Sequence, residues 1–181
     1  MDVRNDFYVI TGGPGSGKTS LLEALKRRGC LCVAEVARRI IREQMLLGGD
    51  ALPWGNTRLY TEWMLEGSVQ DFVAEGEATG IRFFDRGIPD TLAYAALIGE
   101  ELTQEQLETG VRFKYNRLVF ILPPWKEIYG TDAERKQDFI EAVETYKQLV
   151  CQYERLGYEL VEVPLASVES RADFVIRHVY A

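Results

Sequence analysis

Residues Gly12, Gly13, Pro14, Gly15, Ser16, Gly17, Lys18 and Thr19 place glycines, a lysine and a hydroxyl at the spacing GxxxxGK[ST]. Glycine lets a backbone curl until successive N–H groups point at one anion. The helix expected to start here adds free N–H groups and the positive end of its dipole, with Ser20 in its first turn. That is the pattern of a Walker A phosphate loop, in which Lys18 reaches the β- and γ-phosphates and the Thr19 hydroxyl ligates Mg²⁺. The apolar run before the loop and the helical pattern after it supply the strand and helix such a loop requires.

The other chemistry-bearing residues stand where apolar runs stop. Glu35 ends the second run and is followed by Arg38 and Arg39; Asp85 and Arg86 end the third, with Asp90 five positions after Asp85. The fourth ends in Pro123, Pro124 and Trp125, ahead of a charged stretch with Asp132, Arg135 and Lys136. Phosphoryl transfer requires an anion cradle, a metal, cations on the moving group and a carboxylate near the attacking oxygen. Asp85 fits a Walker B acid holding Mg²⁺ or its water shell, and a strand-end surface acid is the plainer alternative. Arg86 follows Asp85 where motor ATPases place a second acid, which fits clamping an anion, though an ion pair of structural use fits too. Glu35 fits either a general base or a helix cap. Arg38 and Arg39 are adjacent and cannot share a helix face, and Arg38, one turn from Glu35, is the one expected to face a ligand. Arg135 fits either a lid arginine over the γ-phosphate or a solvated face.

These residues need elements to hold them. Strands are expected at 7–10, 31–34, 81–84, 118–122 and 158–163, the second buried and the last at an edge. Helices are expected at 19–28, 37–47, 57–77 with an interruption at Gly67 and Ser68, 91–98, 103–115 and 132–156, with a last one capped by Ser167 or Ser170. Gly87 and Pro89 read as a turn. Alternating strands and helices imply an α/β fold, a parallel sheet covered on both faces, with ligands beyond the carboxyl ends of its strands.

The totals bound the function. With 181 residues one domain is expected, and 46% apolar with 27% charged residues is ordinary for a globular protein. A formal net charge of −7 disfavours a broad nucleic-acid or acidic-membrane surface. No apolar run approaches the roughly 20 residues needed to span a bilayer. Three cysteines without a CxxC pair fit a reducing, cytoplasmic setting. No Cys/His spacing fits zinc. Trp54, Trp63 and Trp125 fit base stacking or, more commonly, core packing, and His178 is expected to be exposed. Oligomeric state is not legible.

The phosphate loop, Glu35-x-x-Arg38 and Asp85-Arg86-Gly87-x-x-Asp90 together resemble the small P-loop proteins described as AAA-domain predicted ATPases. These are similar to the ribosylnicotinamide kinase domain and, more distantly, to deoxynucleoside and thymidylate kinases. The resemblance runs from residue 7 to 163. It implies a nucleoside-kinase-like three-layer P-loop fold with five parallel strands in the order 2-3-1-4-5, and ATP and Mg²⁺ on Lys18, Thr19 and Asp85. It also implies Arg86 toward the acceptor or the phosphates, and Arg135 in a lid around 125–136. Deoxynucleoside kinases have an arginine-dense lid, whereas 131–136 holds one clear arginine among acids. The leading expectation is a small-molecule kinase that moves the γ-phosphate to a hydroxyl of a nucleoside-like or other polar metabolite, with Glu35, Arg38, Arg86 and Asp90 on the acceptor side. The alternative is an NTP-binding switch or slow ATPase acting through a protein partner.

Overall fold

The computed structural model describes residues 2–129 and 139–180. Five strands, β1 (Phe7–Gly12), β2 (Leu31–Val33), β3 (Arg82–Asp85), β4 (Leu118–Leu122) and β5 (Glu159–Glu162), form one parallel sheet in the order β2-β3-β1-β4-β5. This is the order the resemblance implies. The helices are α1 (Lys18–Arg27), α2 (Val36–Leu47), α3 (Thr57–Glu75), α4 (Ile88–Leu97), α5 (Gln104–Arg112), α6 (Phe139–Arg155) and α7 (Val168–Val179).

Central strands buried on both faces must be apolar at successive positions, because side chains alternate from face to face. Phe7 and Val9 of β1, Phe84 of β3 and Val119 and Ile121 of β4 enter one core, with Leu65 and Phe72 of α3, Leu92 of α4 and Leu149 and Tyr153 of α6. The intervening residues Ile10, Phe83, Phe120 and Leu122 enter the opposite core, with Leu21 and Leu25 of α1 and Val175 of α7. A third cluster, Ile40, Tyr60 and Met64, joins α2 to α3.

Several boundaries differ from the sequence expectation. Strand β2 is a sheet edge with Leu31 54% exposed, so its apolar run is only partly buried. Helix α3 runs unbroken through Gly67 and Ser68. A Cβ at Gly67 would stand 2.6 Å from Val36 Cγ1, so this glycine permits a close helix crossing and is no break. Helix α4 starts at Ile88, with Pro89 in the first turn where a missing N–H is harmless. The helix expected through 115 stops at Arg112. Phe113–Lys114 then pairs in parallel with Asp2–Val3, a two-residue ladder too short to show a period.

Candidate functional site: the carboxyl edge of the sheet

The register gathers the strand ends. Ile10 lies opposite Asp85 and Gly12 opposite Leu122, so β1, β3 and β4 release their next residues along one edge. Val33 lies opposite Phe84, which brings Glu35 level with Arg86.

Gly17 caps α1 with φ 83°, a left-handed conformation that suits glycine. A Cβ on Gly15, also left-handed at φ 74°, would stand 2.5 Å from the Tyr129 ring. The loop is therefore covered from outside by the segment that follows β4. Ser16 is buried, and its Oγ has no hydrogen-bond partner among the described residues. A buried hydroxyl without a partner is costly, and here it lies in a loop shaped for oxygen-rich anions. Pro14 is half-buried, and Thr19 and Ser20 are exposed on the first turn of α1.

Lys18 is 6% exposed and bonds to Asp85 Oδ1, with Glu35 Oε2 at 3.7 Å. Glu35 stands at the N-cap of α2 but its side chain makes no capping hydrogen bond. It turns into the site instead, accepting from Arg86 Nε at 2.8 Å and Arg38 Nε at 3.0 Å. A hydrogen-bonded helix cap is therefore not formed by this side chain. Burial alone pushes the Glu35 carboxyl up, but Lys18, Arg86 and Arg38 outweigh it and bring the pKa down to about 2. Arg39 reaches Asp71 of α3 at 3.1 Å, and it lines the cavity beside the site as Arg38 does.

Arg86 has φ 70°, the one positive φ of a non-glycine side chain among the described residues. Such a conformation costs on the order of 1–3 kcal/mol and persists where its surroundings over-determine it. Its N–H donates to Ile10 O at 3.1 Å, and its guanidinium donates to Glu35 and, at 3.1 Å, to Asp90 Oδ1. Burial disfavours its charge, but Glu35, Asp90 and Asp85 more than compensate and hold it protonated.

Asp90 corrects the sequence expectation. It is 7% exposed and accepts from Thr11 Oγ1 at 2.5 Å, Tyr153 Oη at 2.5 Å, the Gly87 N–H at 2.8 Å and Arg86. Its oxygens are occupied beneath the site, so it orients Arg86 and does not line the acceptor side. Thr11 and Tyr153 were invisible as site residues, one lying within a strand and the other within an apolar helix stripe.

A cavity of about 490 Å³ opens beside these groups, between α1, β2 and α2. Thr19, Asp85, Glu35, Arg38 and Arg42 are among the residues that line it. Arg135, Asp132 and Lys136, with most of the expected lid, lie outside the described residues. Trp54 is 64% and Trp63 37% exposed, so neither packs in the core as expected; His178 is exposed, as expected. The three cysteines are free. Among the described residues no three His, Cys, Asp or Glu side chains gather as a metal cluster, and no helix is long and apolar enough to cross a membrane.

A P-loop at the carboxyl edge of a five-stranded parallel sheet defines the fold class: an α/β fold that the solved structures named below share. The chain belongs to the AAA domain family, whose model matches residues 7–171. Among solved structures it is similar to NadR protein in complex with NR, with a TM-score of 0.70 at 19% identity, over 97% of this chain and 51% of that one. The chain thus spans about half the length of that protein. It is also similar to deoxyadenosine kinase from M. mycoides with products dCMP and a flexible dCDP bound, with a TM-score of 0.65 at 15% identity, over 96% and 98% of the two chains. The same kinase with bound dCTP gives a TM-score of 0.60 at 12% identity, over 96% and 98%. No protein of curated function matches the sequence.

Proposed function

We propose that the protein is a small-molecule kinase, transferring the γ-phosphate of ATP to a hydroxyl of a nucleoside-like or other polar metabolite. One observation carries this reading. Glu35 joins Lys18 of the phosphate loop to Arg86 and Arg38, at the wall of a cavity of about 490 Å³ that adjoins Thr19 and Asp85. A volume of this order suits a small metabolite. A water-activating second acid after Asp85 is absent, because Arg86 stands there.

The roles follow from position. Backbone N–H groups from Gly12 to Lys18 receive the phosphates, with the Ser16 hydroxyl as a further donor. Lys18 lies within reach of both carboxylates and has the length to exchange Asp85 for phosphate oxygens. Arg86, fixed by Asp90 and Glu35, presents a charge that cannot be lost at working pH. Glu35 accepts the acceptor's proton as its oxygen bonds to the γ-phosphorus and the bond from that phosphorus to the β–γ bridging oxygen breaks, releasing ADP. A carboxylate at about 2 is a weak base. When Lys18 turns to phosphate, one of the three cations lowering it is withdrawn and its basicity rises.

The donor set fits Mg²⁺. Thr19 and Asp85 offer hard oxygen ligands on one cavity wall, and this ion commonly takes one or two protein oxygens, its remaining positions filled by phosphate and water. When bound it would neutralise charge on the phosphates, with Thr19 and Asp85 holding it.

The test is ATP turnover across a panel of nucleosides and polar alcohols. The reading expects a rate that saturates with one acceptor class; a rate indifferent to every acceptor, with nucleotide altering binding of a protein partner, supports the switch alternative instead.

A further inference from the structure

Arg171 of α7 is 4% exposed and played no part in the sequence reading. Its Nη1 donates to Gly17 O at 3.4 Å, and a Cβ on Gly17 would stand 2.7 Å from that nitrogen. The guanidinium therefore fills the space that glycine leaves at the back of the phosphate loop. Its carbon lies 5.5 Å from the centre of the Trp125 ring. Its Nε is buried and has no hydrogen-bond partner among the described residues.

Arg82, the other buried arginine among the described residues, is paired with Glu75 at 2.7 Å, and half-buried Arg86 is paired with Glu35 and Asp90. The acids that flank Arg171 on its own helix are engaged elsewhere. Glu169 binds Arg27 and Arg28, and Asp173 binds Arg28. Among the described residues no carboxylate pairs with Arg171, and its desolvation lowers its pKa from the ordinary arginine value. The charge also sits at the N-cap of α1, the end of a helix where a cation is disfavoured. Buried, without an ion-pair partner among the described residues and at the wrong helix end, this guanidinium weakens the fold unless an anion arrives beside it.

We infer that Arg171 is a positioning residue for nucleotide: its fixed charge, set behind the Gly17 peptide, has the bound polyphosphate as its missing counter-ion. It acts through the loop, raising the positive potential that the loop N–H groups present. The inference rests on the nucleotide-binding part of the reading above and not on transfer to an acceptor.

The experiment compares wild type, Arg171→Met and Arg171→Lys by titration calorimetry with ATP–Mg²⁺ and by thermal unfolding without nucleotide. Met fills similar volume without charge, so the nucleotide-free variant should melt at or above the wild-type temperature while its Kd for ATP rises about tenfold or more. Arg171→Lys should recover a large part of that affinity. A Kd within twofold of wild type overturns the inference. So does a Met variant that melts well below wild type, or fails to fold, since the guanidinium is then a structural tie. If wild type itself binds no ATP, the nucleotide reading falls and this inference with it; that failure is distinct, because it shows before any variant is made.

Discussion

Glu35 draws three cations onto one buried carboxylate, and the consequences of that arrangement are measurable. Its folded pKa of about 2 lies below its ordinary value of 4.5, so the native state holds its proton less tightly than the unfolded chain. The resulting stability is present above about 4.5 and is lost as pH falls toward about 2. Glu35→Gln should therefore melt below wild type at neutral pH, with the gap closing across that acid window. A gap independent of pH in thermal melts would remove the charge argument. Lys18 is the partner whose loss should matter most to rate. Lys18→Ala removes one charged contact to the transferring group and should lower ATP turnover by roughly 10²–10³; a near-normal rate takes Lys18 out of the mechanism. At this scale the loop and the Asp85-Arg86 pair were legible because a phosphate cradle and a strand-end acid are local patterns. The burial of Asp90 and of Arg171 was not. Both depend on groups from distant segments, the Tyr153 and Thr11 side chains for one and the Gly17 carbonyl and Trp125 ring for the other.

The elements position these residues through close crossings that composition does not reveal. Gly67 of α3 faces Val36, the first residue of α2 and the neighbour of Glu35. Alanine would improve helix propensity by about 1 kcal/mol. Its Cβ, however, would meet Val36 at 2.6 Å, an overpacking that costs roughly 1–3 kcal/mol. Gly67→Ala should thus lower the urea midpoint or leave it level, and should reduce turnover by displacing the start of α2. A raised midpoint with full activity would show that α2 has room to yield. Apolar runs located β1, β3 and β4, and an apolar stripe stepping by four and three located α6. The sequence reading mistook Gly67 for a break and Pro89 for a turn, since the same residues serve helix interiors at close crossings and first turns at helix starts. The two-residue ladder of Asp2–Val3 with Phe113–Lys114 left no pattern to find.

Across the whole molecule, a chain of net charge −7 gathers Lys18, Arg38, Arg86 and the N-terminus of α1 at one edge of its sheet, where Glu35, Asp85 and Asp90 balance the three side-chain cations. The topology makes this convergence: in a parallel sheet every strand delivers its last residue to the same edge. The same edge was foreseen from strand ends alone, but which residues face a ligand and which support from beneath needed three dimensions. In the proposed reaction the γ-phosphate moves to a bound hydroxyl and not to water. The direct measurement is the fate of γ-labelled ATP incubated with the protein, Mg²⁺ and a pool of nucleosides and polar metabolites. Transfer to a hydroxyl puts the label in an organic phosphate ester, with ester formation abolished by Lys18→Ala; label recovered only as inorganic phosphate, at a rate the pool does not change, would overturn that reaction.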